Sequence, residues 1–263
     1  MGTQFFSIIF PDTSFFSTFA MISAQATIPT MKEIRPIAHF RSPLTSKFGI
    51  PRQSGLANSL QGQIVMEKPF DNPDALRGLD GFDYVWLIWD FSANHTNTAH
   101  SSDGATSSVP LTVRPPRLGG NRHMGVFATR SPFRPNGLGL SCVRIAKIEA
   151  GVIHVTGADL MDGTPIYDIK PYIPYADAHP EARGGFTDEQ QWQPLAVEFP
   201  DNLSRHFSDK EQRALVEILQ QDPRPQYHDD PERIYGMPFA GRDVRFKVCG
   251  QKLTVIEVRR IGK

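Results

Sequence analysis

The stretch that most limits what this chain can fold into runs from Val113 to Ser141, V-R-P-P-R-L-G-G-N-R-H-M-G-V-F-A-T-R-S-P-F-R-P-N-G-L-G-L-S. Pro115-Pro116, Gly119-Gly120, Pro132, Pro135, Gly137 and Gly139 forbid a continuous helix. Each proline fixes φ and removes a backbone donor, and each glycine gives up helix propensity. The sequence therefore specifies a folded loop in which backbone amides and guanidinium forks converge. Between Asp103 and Glu149 there is no Asp or Glu, while Arg114, Arg117, Arg122, Arg130, Arg134, Arg144 and Lys147 all fall inside. So concentrated a positive field points to a polyanion or an anionic cofactor. An exposed loop of solvated arginines is the plainer alternative, but such a loop has no need of so many conformationally special residues.

The rest of the chain is electrically balanced, with 28 basic and 28 acidic side chains in 263 residues, so binding to nucleic acid would rest on a patch and not on overall charge. With 40% hydrophobic residues the chain is long enough for a main domain and a smaller partner. Ile34 to Phe40, Gln63 to Glu67, Phe82 to Phe91, Met124 to Thr129, Leu140 to Ile148 and Val152 to Gly157 are short, rich in β-branched or aromatic residues, and bounded by Gly, Pro or Asn. That spacing predicts a mainly β fold, a barrel or a sandwich. Tyr84 to Trp89 reads as a central strand buried on both faces, its tryptophans packing in the core rather than stacking on a ligand.

After Tyr175 the character changes. Ala176 to Thr187 is a polar connection. Ser208-Asp209-Lys210-Glu211 then reads as a capping box, opening a helix with Ala214, Leu215, Ile218 and Leu219 on one face and Asp222-Pro223 as its stop. Val244 to Val248 and Leu253 to Val258 form an expected hairpin, which completes a small α+β C-terminal domain. The expected organisation is an extension over 1–31, a β domain over 32–178 and the α+β domain over 188–263. The extension is apolar, but Pro11 and Asp12 interrupt it and no Lys or Arg precedes Lys32. It meets the needs of neither a secretory signal nor a membrane span, so the expectation is a disordered segment upstream of a start at Met21 or Met31. Ala24-Gln25-Ala26 is the one feature that resembles a cleavage site.

Cys142 and Cys249 make no C-x-x-C pair, which argues against a disulfide framework and a zinc site and for a reducing, cytoplasmic setting. His95 and His100 sit in a polar insertion, Asn94 to Ser108, without further ligands nearby, and no metal is expected. There is no G-x-G-x-x-G after a strand, no G-x-x-x-x-G-K-[ST] and no G-x-S-x-G, so a Rossmann enzyme is not expected. Ser141 and Cys142 lack a histidine close in sequence, and both are read as structural. Two further stretches are chemically loaded. Asp159 to Tyr172 places Asp159, Asp162 and Asp168 beside a turn, where carboxylates suit a ligand amine or ribose, with Lys170 and Tyr172 suited to a phosphate and a base. Phe48 to Gly55 is a Gly- and Pro-bracketed loop presenting Arg52 and Gln53.

These stretches carry a resemblance. Phe48 to Gly55, Arg77-Gly78-Leu79, Arg114 to Asn121, Gly125 to Asn136, Asp162 to Tyr175 and Gln221 to Pro225 are similar, in the same order, to the TsaA-like (TrmO) family of S-adenosylmethionine-dependent tRNA adenine-N6 methyltransferases. The resemblance implies a non-Rossmann β-barrel methyltransferase domain that binds S-adenosylmethionine, a C-terminal domain and a homodimer. The implied substrate is N6-threonylcarbamoyladenosine beside the anticodon of a tRNA, which receives a methyl group on N6.

Carried over by position, cofactor contacts are expected from Arg52, Gln53 and Ser54, from Phe91 and Ser92, from Arg130 and Leu140, and from Asp159, Leu160, Met161 and Asp162. The chain departs from the family pattern at Ser54, where a Pro is common, at Ser92, and at Gly137, where a Pro is expected and a glycine would loosen the turn. Contacts to tRNA are expected from Arg114, Arg117, Arg134 and Lys170, and from Arg224 and Tyr227 on an exposed turn stiffened by two prolines. The acceptor for the N6 proton is Asp162, Asp168 or a backbone carbonyl. A noncatalytic RNA-binding module and a methyltransferase for another RNA or a small substrate are the alternatives, and calorimetry with S-adenosylmethionine separates the first of these from an enzyme.

Overall fold

The computed structural model describes residues 33–94, 111–115, 122–189, 193–225 and 230–262. The expected extension over 1–31, His95 and His100, Arg117 and Tyr227 lie outside the described residues. The chain divides into two units, Met1–Arg35 and Pro36–Lys263. In the first, residues 33–35 form neither helix nor strand, and Arg35 pairs with Glu33 at 3.4 Å.

The second unit begins with β1 (Ala38–Arg41), β2 (Gln61–Met66), α1 (Pro73–Leu76), β3 (Tyr84–Asp90), β4 (Thr112–Val113), β5 (Met124–Gly125), β6 (Leu138–Glu149), β7 (Val152–Thr156) and β8 (Pro165–Pro171). Six of these close into a barrel in the order β1-β2-β7-β6-β3-β8, every neighbouring pair antiparallel. Closure leaves no unpaired edge, and one side chain in two points into the core. In β3 the inward set is Val85, Leu87 and Trp89, each no more than 6% exposed. Tyr84, Trp86 and Ile88 face outward, so the expectation of a strand buried on both faces is corrected. A single-layer barrel has only one inside.

Other boundaries shift for local reasons. The strand expected over Ile34–Phe40 is only Ala38–Arg41. Met124–Thr129 is not a strand beyond Gly125; Val126–Ala128 is a 3-10 turn closed by the Thr129 hydroxyl, which donates to the Val126 carbonyl at 2.9 Å. Strand β8 was hidden behind the turn chemistry of Asp162-Gly163-Thr164-Pro165.

The chain continues through α2 (Pro174–Asp177), β9 (Ala196–Glu198), α3 (Asp201–Ser204), α4 (Asp209–Gln220), β10 (Tyr235–Phe239), β11 (Arg242–Cys249) and β12 (Lys252–Arg260). The last strands form a sheet in the order β10-β11-β12-β9, with β9 parallel to β12. Helix α4 opens on the capping box read from the sequence: the Ser208 side chain accepts from the Glu211 backbone, and the Glu211 carboxylate accepts from the Ser208 backbone. Its buried face is Ala214, Leu215, Ile218 and Leu219. The protein is therefore mainly β, a closed barrel with a small α+β part behind it.

One hydrophobic core fills the barrel and a second lies between α4 and the C-terminal sheet. The second core is not made by the C-terminal residues alone. Leu44, Ala57 and Leu60 of the β1–β2 connection are buried in it, and Phe48 and Ile50 pack against it. Burial of a leucine contributes on the order of 1.5–3 kcal/mol, so several such side chains hold the loop firmly. Gly49 shows how close the approach is: its φ is +93°, and an added Cβ would lie 2.0 Å from the Met237 sulfur.

Candidate active site at one end of the barrel

An antiparallel barrel sends alternate connections to opposite ends. The registers Gln61↔Thr156, Asp90↔Leu138 and Ala38↔Ile166 put the ends of β1, β3 and β7 and the starts of β2, β6 and β8 at one end. The described parts of connections 42–60, 91–137 and 157–164 therefore lie at that end. They include Phe48 to Gly55, the described part of the Gly, Pro and Arg stretch up to Gly137, and Asp159 to Thr164, whereas Asp168 and Lys170 lie along β8 and Tyr172 follows its far end.

At their meeting point is Asp159. Its Oδ1 accepts a 2.5 Å hydrogen bond from the Ser141 hydroxyl, and Ser141 Oγ accepts one of 2.9 Å from the Trp89 indole N–H. The Ser54 backbone N–H also bonds to the carboxylate, and the charge of Arg130 acts on it. Burial raises the Asp159 pKa above the usual aspartate range; the Ser141 bond, the Ser54 and Asp159 backbone amides and Arg130 oppose that shift without cancelling it. Arg130 donates in turn to the Gln53 side chain at 2.5 Å. A cation and a desolvated carboxylate are thus within electrostatic reach of each other, each held by neutral hydrogen-bond partners. The pair suits a zwitterionic ligand, the guanidinium taking its carboxylate and Asp159 its ammonium or ribose hydroxyls.

Of the expected cofactor residues, Gln53, Ser54, Arg130 and Asp159 are brought together. Phe91 borders the barrel core, its ring 4.3 Å from that of Trp89 and its N–H bonded to the Gly137 carbonyl. Ser92 follows in a half-buried 3-10 turn. Arg52 turns the other way: it lines a cleft of about 200 Å³ against the end of α4, and its Nη2 donates to the Asp222 carbonyl at 3.5 Å. Leu160 is wholly buried in the barrel core, where its side chain packs, so it is not presented to a ligand from solvent. Met161 is half-buried, its carbonyl accepting from Thr164. Leu140 is 56% exposed and lies on the opposite face of β6 from Ser141.

Gly137 corrects a further expectation. Its φ is +59°, a conformation closed to proline, and its N–H bonds to the Arg134 carbonyl. The departure gives a different, hydrogen-bonded turn and not a looser version of a proline one.

Asp162 anchors the turn after β1, accepting from the Ser42 N–H at 3.0 Å with Arg41 at 3.8 Å. Asp168 stands on β8 beside Lys170, 3.1 Å away, and accepts from the Ile169 N–H. Of the expected tRNA contacts, Arg114 donates to His123 at 3.0 Å and Arg134 to the Thr129 carbonyl at 3.1 Å, both neutral acceptors. Lys170 is 63% exposed. The expectation of an exposed Arg224 is corrected. Its guanidinium forks onto the Asp222 carboxylate at 2.8 and 2.9 Å, and its side chain is only 12% exposed.

Sequence reasoning missed the support behind these groups. Ser141 is inward-facing on an alternating strand, a buried hydroxyl that needs a partner, and that alternation was the available signal. Glu217 sits beside the apolar stripe of α4 and accepts from both the backbone N–H and the hydroxyl of Ser59, each at 2.7 Å. Gln221 donates to the Leu56 carbonyl at 3.5 Å. Helix α4 thus grips the back of the loop whose front carries Gln53 and Ser54.

The family model for the N-terminal domain of tRNA-methyltransferase O matches residues 39–178, and that for the C-terminal domain of the same family matches 192–261. The tRNA (adenine(37)-N6)-methyltransferase of Escherichia coli is 36% identical over 241 residues, 86% of this chain and 98% of its own. A Pseudomonas aeruginosa protein named for S-adenosylmethionine-dependent methyl transfer is 42% identical over 222 residues, 81% of this chain and 91% of its own. A crystal structure of tRNA-methyltransferase O from P. aeruginosa superposes with a TM-score of 0.70 at 34% identity, covering 88% of this chain and 98% of the other. With both family models matched in order and a fold shared over nearly the full described length, the chain belongs to the tRNA-methyltransferase O family.

Proposed function

We propose that this chain methylates N6 of N6-threonylcarbamoyladenosine beside the anticodon of a tRNA. The enzyme class is that of its family, an S-adenosylmethionine-dependent tRNA (adenine-N6) methyltransferase. The observation that carries the reading is the Arg130–Gln53 and Asp159–Ser141–Trp89 arrangement at the barrel end. It offers opposite charges to a zwitterion in a chain without a Rossmann fold. S-adenosylmethionine, when bound, supplies a methyl group already activated by its sulfonium. The chain's own residues bind and orient: Arg130 holds a carboxylate, Asp159 accepts from a hydroxyl or an ammonium, and Gln53 and Ser54 fix the loop that carries them.

The adenine amine is delocalised into its ring and is a poor nucleophile, so an acceptor aimed at its N–H holds the lone pair on target and takes the proton as the bond forms. Asp162 shares the Asp159–Asp162 run and is the carboxylate proposed for that role, with Asp168, on β8 beside Lys170, second. Leu140 faces away from Ser141 on its strand, so a cofactor contact from Leu140 is reconciled with the site if a second copy of the chain supplies it. A homodimer is therefore part of the proposal. Among the described residues no helix is long and apolar enough to cross a membrane; a cytoplasmic enzyme belongs to the same reading.

The test is incubation of the purified protein with S-adenosylmethionine and tRNA carrying threonylcarbamoyladenosine, followed by mass spectrometry of the nucleosides. A gain of one methyl on that nucleoside is expected. A modified nucleoside elsewhere, or none with the cofactor bound, refutes the substrate assignment.

A further inference from the structure

We propose that Phe127 and Phe133 form a stacking platform for unpaired bases of the tRNA anticodon loop. The inference rests on the proposed function and adds to it a base-binding subsite separate from the cofactor groups. Phe127 is 75% exposed and Phe133 is 56% exposed, on either side of Arg130 in one short connection. Their exposure follows from the way the loop is tied down. Val126 is 1% exposed, and its N–H bonds to the Leu111 carbonyl, so the next residue in the 3-10 turn is directed outward.

From there each polar side chain fixes the residue two positions on. The Ser131 N–H donates to the Thr129 hydroxyl oxygen at 3.3 Å, and the Phe133 N–H to the Ser131 hydroxyl oxygen at 3.2 Å. The Arg134 guanidinium returns to the Thr129 carbonyl at 3.1 Å. Pro132 and Pro135 bracket Phe133 and remove backbone freedom on both sides. Two phenyl rings are thus preorganised in water, where they gain nothing for the folded chain alone.

The charge around them selects the occupant. Arg114, Arg130 and Arg134 are hydrogen-bonded to a histidine nitrogen, an amide oxygen and a backbone carbonyl, all neutral acceptors. No Asp or Glu stands between Asp103 and Glu149 in the sequence. Aromatic faces set beside Arg114 and Arg134, whose hydrogen-bond partners carry no charge, match unstacked bases on a phosphate backbone, since every base offers a π-face and every nucleotide a negative charge.

The experiment uses the full chain and an anticodon stem-loop with 2-aminopurine in the loop, read by anisotropy and by fluorescence. Phe127→Ala and Phe133→Ala should each weaken binding by about 5- to 150-fold, the range of one lost stacking contact. Quenching of the 2-aminopurine should fall with it, while the salt slope, S-adenosylmethionine affinity and Tm stay at parent values. Phe133→Trp should restore affinity and Phe133→Leu should not. Parent-like binding and quenching in both alanine variants overturn the platform, as does a leucine variant equal to the parent, since apolar burial would then suffice. A fall in sedimenting mass together with the lost affinity assigns the rings to contact with a second copy and also overturns it. If the parent neither binds nor methylates tRNA, the proposed function fails, and the platform with it; a fully active parent with indifferent variants removes the platform alone.

Discussion

Replacing Glu217 with alanine tests whether the α+β part governs the loop proposed to bind the cofactor. The carboxylate accepts two hydrogen bonds of 2.7 Å from Ser59 in a part-buried position. A bond to a charged acceptor contributes about 1.5–3 kcal/mol, and two bonds to one carboxylate share their effect, so a total of about 2–3 kcal/mol is expected. In a chain of this size that lowers Tm by about 4 to 12 °C, at about 2–4 °C per kcal/mol. The loop carries Gln53 and Ser54 on its other side, so loosening it also reduces the fraction of molecules competent to bind, and apparent affinity falls by that fraction. Calorimetry with S-adenosylmethionine at 20 °C, well below melting, should show a Kd raised about tenfold. Glu217→Gln keeps an acceptor and should recover part of both effects, and a double-mutant cycle with Ser59→Ala should return a coupling of about 1 kcal/mol or more. Parent affinity in a Glu217→Ala protein that melts early would refute the link between α4 and the cofactor loop. A cycle with no coupling would refute the contact itself.

Three other outcomes are expected. Asp159→Asn should raise Tm at pH 7 and weaken S-adenosylmethionine binding by at least about tenfold. The folded chain holds the Asp159 proton more tightly than the unfolded chain, so this group's contribution is most favourable at low pH and declines as pH rises from the usual aspartate value through the raised one; a less stable asparagine variant would contradict burial as the cause. Arg114→Ala and Arg134→Ala should each lower the salt dependence of tRNA binding by about one unit while cofactor affinity stays put, and a parent slope removes that residue from phosphate contact. Gly49→Ala puts a Cβ against the buried Met237 at a positive φ and should cost about 2–4 kcal/mol in urea unfolding, with unchanged stability ruling out the tight seating of the loop.

What could be read from the sequence was whatever is written locally. The Gly, Pro and Arg pattern of Val113–Ser141, the turn at Asp162-Gly163 and the loop at Phe48–Gly55 are each written in one continuous stretch, and the barrel brings their described residues to one end. The capping box at Ser208 is local too. What stayed hidden depends on distance along the chain. Ser59 and Glu217 are 158 residues apart, and Trp89 and Ser141 are 52 apart. No periodicity announces that the apolar residues of the 42–60 connection belong to a core built by the C-terminal helix and sheet. Arg224 misled for a different reason: its two prolines do stiffen a turn, but the carboxylate two residues earlier decides where its side chain lies.

The hairpin between β6 and β7 turns through Ala150 and Gly151, both at positive φ, at the end of the barrel away from the converging connections. Chain continuity there serves only to join two strands, and both are pinned by their other neighbours in the closed ring. That turn is a permissive position for a spliced reporter, an affinity tag or a surface anchor. A chain immobilised there would present the end that carries the proposed site to the bulk solution.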